Sequence, residues 1–154
     1  MSEIAQLIIA REEGFRDKPY LCSEGYPTIG YGIKIGPQDA DISLYQFRLP
    51  QDVAELWMNH MIDEKLDEME FDDDISAALE SCNEVREAVL ASMAFQLGTK
   101  GLSGFKRMLS AIEFGDFREA AREALDSRWR IQTPDRCERH AEMLETGALL
   151  KYYE

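Results

Sequence analysis

The chain has 154 residues, 45% hydrophobic and 31% charged, with 17 Lys and Arg against 30 Asp and Glu for a net charge of -13. That length suits one compact domain of two lobes sharing a helix and is short for two domains of ordinary size. No apolar run approaches the roughly 20 residues of a membrane-spanning helix, and so acidic a chain lacks the basic face that nucleic acid requires.

At the N-terminus, Ser2 is a polar cap, and Ile4, Leu7, Ile8 and Phe15 have amphipathic spacing, predicting a helix over 2–12 that Glu13 closes. Gly14 can adopt the left-handed backbone that ends a helix. A carboxylate at the negative end of the helix dipole is easier to protonate than in water, as a general acid requires. Beyond it, Pro19, Gly25, Pro27, Gly30 and Gly32 forbid a continuing helix, while Tyr20, Tyr26, Thr28, Ile29, Tyr31, Ile33 and Ile35 favour short strands. Ser23-Glu24-Gly25 reads as a turn that folds Cys22 back toward Thr28. Glu13, Cys22 and Thr28 then face one another.

Residues 36–49 read as a loop with one short helix. Pro50 opens a long helix over 51–70 with apolar positions at Val53, Leu56, Trp57, Met61, Ile62, Leu66 and Met69. The acidic run Glu68, Glu70, Asp72, Asp73 and Asp74 lacks the glycine and ligand spacing of a calcium loop and reads as a solvated, capped helix end. A short helix follows. The segment from Ala88 to Leu97 is apolar nearly all round, as in a central buried helix, and only Ser92 and Gln96, four apart on one face, interrupt it, so that face is expected to border a cleft. Gly98, Gly101 and Gly104 mark a helix end and turn. Two amphipathic helices joined at Gly115 come next, with Phe105, Leu109, Ile112, Phe117, Ala121 and Leu125 inward. Thr133-Pro134-Asp135 is a helix start that presents Arg136 from its first turn.

Three cysteines, Cys22, Cys82 and Cys137, are an odd count without CxxC spacing, which suggests neither a disulfide scaffold nor a zinc site. His60 and His140 read as ordinary helix-surface residues. No metal or other cofactor is expected. The fold class is α+β: a small lobe over 13–50 with a β-hairpin, a bridging helix over 51–70, and an all-helical lobe over 71–154 packed with helix 2–12.

Glu13, eight residues, Cys22, five residues, Thr28 and then IGYG together resemble the active-site signature of the phage-type lysozymes, glycoside hydrolase family 24. FQLGTKGLSGFKRML over 95–109 and SRWRIQTPDR over 127–136 resemble two further blocks of that family in the same order. The resemblance spans nearly the whole chain. It implies a lysozyme-like fold and hydrolysis of the β-1,4 bond between N-acetylmuramic acid and N-acetylglucosamine in bacterial peptidoglycan. Glu13 is then the acid, Cys22 and Thr28 place the water, and Gln96, Arg136, Gly32 and Phe105 are substrate-side residues, with Gln96 near the acid and Arg136 reaching it. The chain departs from T-even members of the family, which carry Asp where Cys22 stands; a subset of phage endolysins carries Cys there. A free thiol with a pKa near 8.5 is only a few per cent thiolate at neutral pH, so this change alters the chemistry.

The implied partner is the glycan strand of peptidoglycan, without nucleic acid or stable membrane insertion, and the expected state is a monomer. Only LIIA precedes Arg11, short of a secretory signal's roughly 7 to 15 apolar residues. The expectation is synthesis in a bacterial cytoplasm and release to the wall by another factor. The acidic surface and the missing aspartate motivate a competing reading, a weak or inactive lysozyme-fold protein that binds wall or another protein. Peptidoglycan and its attached polymers are largely anionic, so a charge of -13 opposes approach at low salt. Screening acts beyond about 8 Å near physiological ionic strength. Wall-clearing activity, followed by turbidity, should therefore rise with moderate added salt; a steady fall from low salt upward would contradict this.

Overall fold

Ser2 accepts a hydrogen bond from the Ala5 amide at 3.1 Å, satisfying one of the free donors of the first turn, and helix α1 runs Glu3–Glu13. The structure, a computed structural model, describes residues 2–154. Gly14 stops α1 with φ 69° and ψ 163°, a positive φ of the predicted sign but with an extended ψ that turns the chain directly into a strand. Ala5, Ile8 and Ile9 are the buried residues of α1, whereas Leu7 is 48% exposed. The inward stripe is thus rotated from the predicted one.

Three short strands follow, β1 (Arg16–Leu21), β2 (Pro27–Gly30) and β3 (Ile33–Lys34), in an antiparallel sheet of order β1-β2-β3. The predicted turn closes where expected, with the Gly25 amide donating to the Cys22 carbonyl at 2.9 Å. Tyr20 pairs with Thr28 and Leu21 with Pro27. All four positions of β2 are buried, while β1 is largely exposed. The loop beyond carries one 3-10 turn at Ile42–Leu44.

Pro50 caps rather than begins the long helix α2 (Gln51–Phe71). Its buried residues are Ala54, Met58, Ile62 and Met69, a one-sided stripe. Leu56 is 71% exposed, and Val53 and Trp57 are exposed too, so the predicted apolar positions of the first two turns face away from the core. Asp72, which accepts from the Ile75 amide, caps α3 (Asp73–Leu79), as the acidic run suggested. Asn83 caps α4 (Glu84–Leu97), which is buried continuously from Ala88 to Ala94, Ser92 included.

Around α4 stand α5 (Thr99–Ser103), α6 (Lys106–Glu113), α7 (Phe117–Leu125), α8 (Arg128–Gln132) and α9 (Pro134–Thr146). α1 packs along α4, α2 crosses it, and α9 packs on both α7 and α4. The glycine-rich stretch read as a turn holds the short α5, and α8 was likewise unforeseen: five residues are too few for a periodicity to register. Thr133 begins α9 without a side-chain cap, because its hydroxyl is engaged with Gln96 and the Trp129 carbonyl. No helix among the described residues is long and apolar enough to cross a membrane. Leu90 lies at the centre of the packing with no exposed surface. Leu90→Ala should lower stability by about 2–5 kcal/mol in urea denaturation, the cost of lost transfer energy plus a cavity.

Candidate active site

Glu13 leaves the last turn of α1 pointing at α9, where Arg136 Nη1 donates to its Oε1 at 2.9 Å. Residues 123 apart in sequence thus meet in the first turn of one helix and the last turn of another. The Glu13 side chain is 19% exposed and that of Arg136 9%. Gly32, in the tight turn between β2 and β3 with φ 70°, stands so near that a Cβ there would collide with the Glu13 carboxylate. The acid is therefore boxed between a backbone turn of the sheet and a guanidinium of the helical side.

The hairpin brings Cys22 and Thr28 together. Thr28, buried, donates to the Tyr26 carbonyl at 2.8 Å, and its hydroxyl is near enough to Cys22 to favour the thiolate. Partial burial of Cys22 pushes its thiol pKa up, but backbone hydrogen bonds at Tyr26 and Glu24, the Thr28 hydroxyl and the Lys34 charge outweigh that, and the net shift is downward. Lys34 is held close, its ammonium 4.2 Å from the centre of the Tyr26 ring. Tyr20, opposite Thr28 in the sheet, links the hairpin to the acid. Burial raises the pKa of its phenol; Arg16 opposes this, and the negative charges of both Glu13 and Cys22 add to it. Nothing in the spacing of Tyr20 distinguished it from the other strand tyrosines.

Gln96 and Phe105 both meet Trp129. The Gln96 amide is fully engaged with other groups, its oxygen accepting from Trp129 Nε1 at 2.9 Å and its nitrogen donating to Thr133 at 3.2 Å. It does not hydrogen-bond Glu13. It fixes the junction of α4, α8 and α9. Phe105 packs edge-on against Trp129 with ring centres 6.0 Å apart, on the α6 side of the same junction, within a 500 Å³ hollow that Gly101, Arg107, Glu123 and Asp126 also line.

His140 is a correction of a different kind. It has no exposed surface, and its Nε2 lies 2.7 Å from Ser92 Oγ. Burial, with Arg136 and Arg139 nearby, holds its pKa well below the ordinary histidine value, so the ring is neutral. His60, by contrast, is exposed on α2 as expected. Glu12, the residue before the acid, is buried as well and is held by both Arg139 and the Tyr153 hydroxyl. Among the described residues, no group of three or more His, Cys, Asp or Glu side chains converges as a metal site.

A model of the phage lysozyme family matches residues 10–139, a span that contains every residue just described from Glu13 to Arg139. The chain belongs to the phage lysozyme family. It is 32% identical, over 94% of its length, to the pre-baseplate central spike protein Gp5 of Enterobacteria phage T4, spanning only 28% of that protein. It is 30% identical to Probable T4-type lysozyme 1 of Dictyostelium discoideum, with 92% of the chain and 93% of the relative covered. Probable T4-type lysozyme 2 of the same organism is 43% identical over 44% of the chain and 39% of its own length. Family membership accords with the α+β fold and places the boxed carboxylate and hairpin within a lysozyme framework.

The three free thiols differ in a measurable way. Burial pushes Cys82 and Cys137 up to about 11, whereas the net shift at Cys22 is downward. Only thiolates react with iodoacetamide, so Cys22 in the folded protein should alkylate at least about tenfold faster than the other two at mildly alkaline pH. Peptide mapping with pH should place its midpoint well below those of Cys82 and Cys137; comparable rates at all three sites would contradict the assignment.

Proposed function

We propose that this protein is a muramidase that hydrolyses the β-1,4 bond between N-acetylmuramic acid and N-acetylglucosamine in peptidoglycan. The observation that carries the reading is the Glu13 carboxylate, partly exposed, held by Arg136 at 2.9 Å and pressed against Gly32 at the mouth of the hairpin. Such a group is oriented without being sealed off. A relative named as a lysozyme, matching most of the chain, supports the reaction class.

In this reading the glycosidic oxygen leaves with the proton of Glu13 as its bond to the anomeric carbon breaks. Water, placed by the Cys22 sulfur and the Thr28 hydroxyl, forms the new bond at that carbon, and its proton passes to the Cys22 thiolate. The downward shift at Cys22 supports this use of sulfur, because it enlarges the thiolate fraction available at neutral pH. Arg136 and Gly32 hold the acid in place, with Gln96 and Phe105 shaping the helical side of the substrate groove. The biological setting we propose is that of an endolysin, made in a bacterial cytoplasm and delivered to the wall by a separate factor.

Glu13→Gln should abolish clearing in a zymogram of purified peptidoglycan while leaving the circular dichroism spectrum and unfolding midpoint close to those of the parent chain. Cys22→Ser keeps a hydrogen-bonding group that can hold water and should lose less activity. An active Glu13→Gln protein would remove Glu13 from its role, and a Cys22→Ser loss equal to it would favour direct attack by sulfur. Retention on the wall without clearing by the parent chain would make the protein a binder.

A further inference from the structure

Arg136 is 8% exposed and so depends on protein acceptors for its charge. Its Nη1 serves Glu13, and its Nη2 donates to Ser92 Oγ at 2.9 Å and to the Ser92 carbonyl at 3.3 Å. Its Nε has no hydrogen-bond partner among the described residues and lies 3.9 Å from Glu12 Oε2. Two adjacent carboxylates thus compete for one guanidinium. A small rotation about the side-chain axis would bring Nε onto Glu12 and draw Nη1 away from Glu13.

The grip on Nη2 opposes that rotation, and its strength depends on which way Ser92 points. Ser92 has one proton and uses an oxygen lone pair for Arg136. His140 is neutral, its Nδ1 is buried without a hydrogen-bond partner, and its Nε2 is the one acceptor within reach of the Ser92 hydroxyl among the described residues. Nε2 is then the bare acceptor that takes the Ser92 proton, and Ser92 is left with its lone pairs facing the guanidinium. In the other tautomer the Ser92 proton has no acceptor among the described residues. The chain therefore runs in one direction: Arg136 donates to Ser92, and Ser92 donates to His140. Bonds ordered in this way polarise one another. Around the ring, Trp129 and Tyr153 pack edge-on, with centres 5.5 and 6.4 Å away, so the imidazole has no freedom to turn aside.

We propose that Ser92 and His140 are positioning residues, a buried pin that commits Arg136 to Glu13 rather than to Glu12. The effect on the arginine stands by itself; the effect on turnover rests on the muramidase reading above. Both side chains are fully buried, so Ser92, on a face expected to border a cleft, instead meets Arg136 and His140.

The decisive comparison sets Ser92→Ala and His140→Leu against Ser92→Thr and His140→Gln, which retain a hydroxyl and an acceptor, together with the double variant Ser92→Ala/His140→Leu. Turnover on purified peptidoglycan and the side-chain 15N–1H spectrum of Arg136 in the full chain are the two readouts. Ser92→Ala should lower kcat at least about tenfold with little change in KM, as expected when a catalytic group is displaced by a fraction of an ångström to an ångström. The separate Nη signals of Arg136 should merge by exchange in that variant and persist in Ser92→Thr. The double variant should be no worse than Ser92→Ala alone, because the two residues act through one contact. Unchanged Arg136 signals in Ser92→Ala, or kcat losses that multiply in the double variant, would overturn the pin. An inactive parent chain would sink the muramidase reading while leaving the spectra to decide the pin, and if Ser92→Ala fails to fold, His140→Gln against His140→Leu decides it.

Discussion

A guanidinium cannot shed its proton inside a protein, so burying Arg136 obliges the fold to bring acceptors to it. Those acceptors are the Glu13 carboxylate on α1 and the hydroxyl and carbonyl of Ser92 on α4, while Arg136 itself belongs to α9. One charge therefore sets the mutual rotation of three helices. Ion pairs of this kind contribute little net stability, since the desolvation of both partners offsets most of their attraction, but a misplaced partner is costly because it leaves a buried charge alone. The pair acts on geometry more than on stability. That is the property needed where a carboxylate must stand at one place on the edge of a groove.

The neighbouring pair repeats the arrangement one residue along α1 and about one turn along α9. Glu12 and Glu13 differ by one residue, roughly 100° around a helix, and Arg136 and Arg139 differ by three and share a face. The second pair is closed by the C-terminal segment, where the Tyr153 hydroxyl donates to Glu12 and the Tyr152 ring lies under both Arg11 and Arg139. Glu12 is thus held by Arg139 and Tyr153, with one of its oxygens still 3.9 Å from Arg136 Nε. The last residues of the chain thereby help decide which carboxylate is left for the first turn of α9.

Local features were the legible ones. Ser2, Gly14, the Ser23–Gly25 turn and the cap at Asp72 act through their own backbone within a few residues, and each operates where its residue type predicted. The long apolar run from Ala88 was equally plain as the central helix. Facing direction was less so: Leu7, Leu56 and Trp57 are apolar yet exposed, while the small Ala5 and Ala54 take the buried positions, because close helix contact selects for size as well as hydrophobicity. Long-range pairing was the least legible. Gln96 binds Trp129 and Thr133, because the Trp129 N–H must be satisfied once buried. His140 did carry a signal, since it lies four residues from Arg136 and so shares the inward face on which Arg136 meets the acid.

Glu13 and the Cys22–Thr28 pair belong to different structural halves, and what joins them is short. Only Gly14 and Phe15 separate α1 from β1, so the direction of the sheet relative to Glu13 depends on how Phe15 and its neighbours dock. Phe15 packs on Tyr31 with ring centres 5.6 Å apart, and the Tyr31 hydroxyl, which accepts from Gln51 at 3.2 Å, donates to Glu55 of α2 at 3.4 Å. Ile29, fully buried, and Ile33 anchor β2 and β3 from the face that carries them, whereas β1 is mostly exposed. The helical side is thus held by buried charge and the sheet side by a few apolar contacts onto α2. Since local stability follows the density of such contacts, motion between Glu13 and the Cys22–Thr28 pair should arise on the sheet side, leaving Glu13 fixed while the hairpin moves.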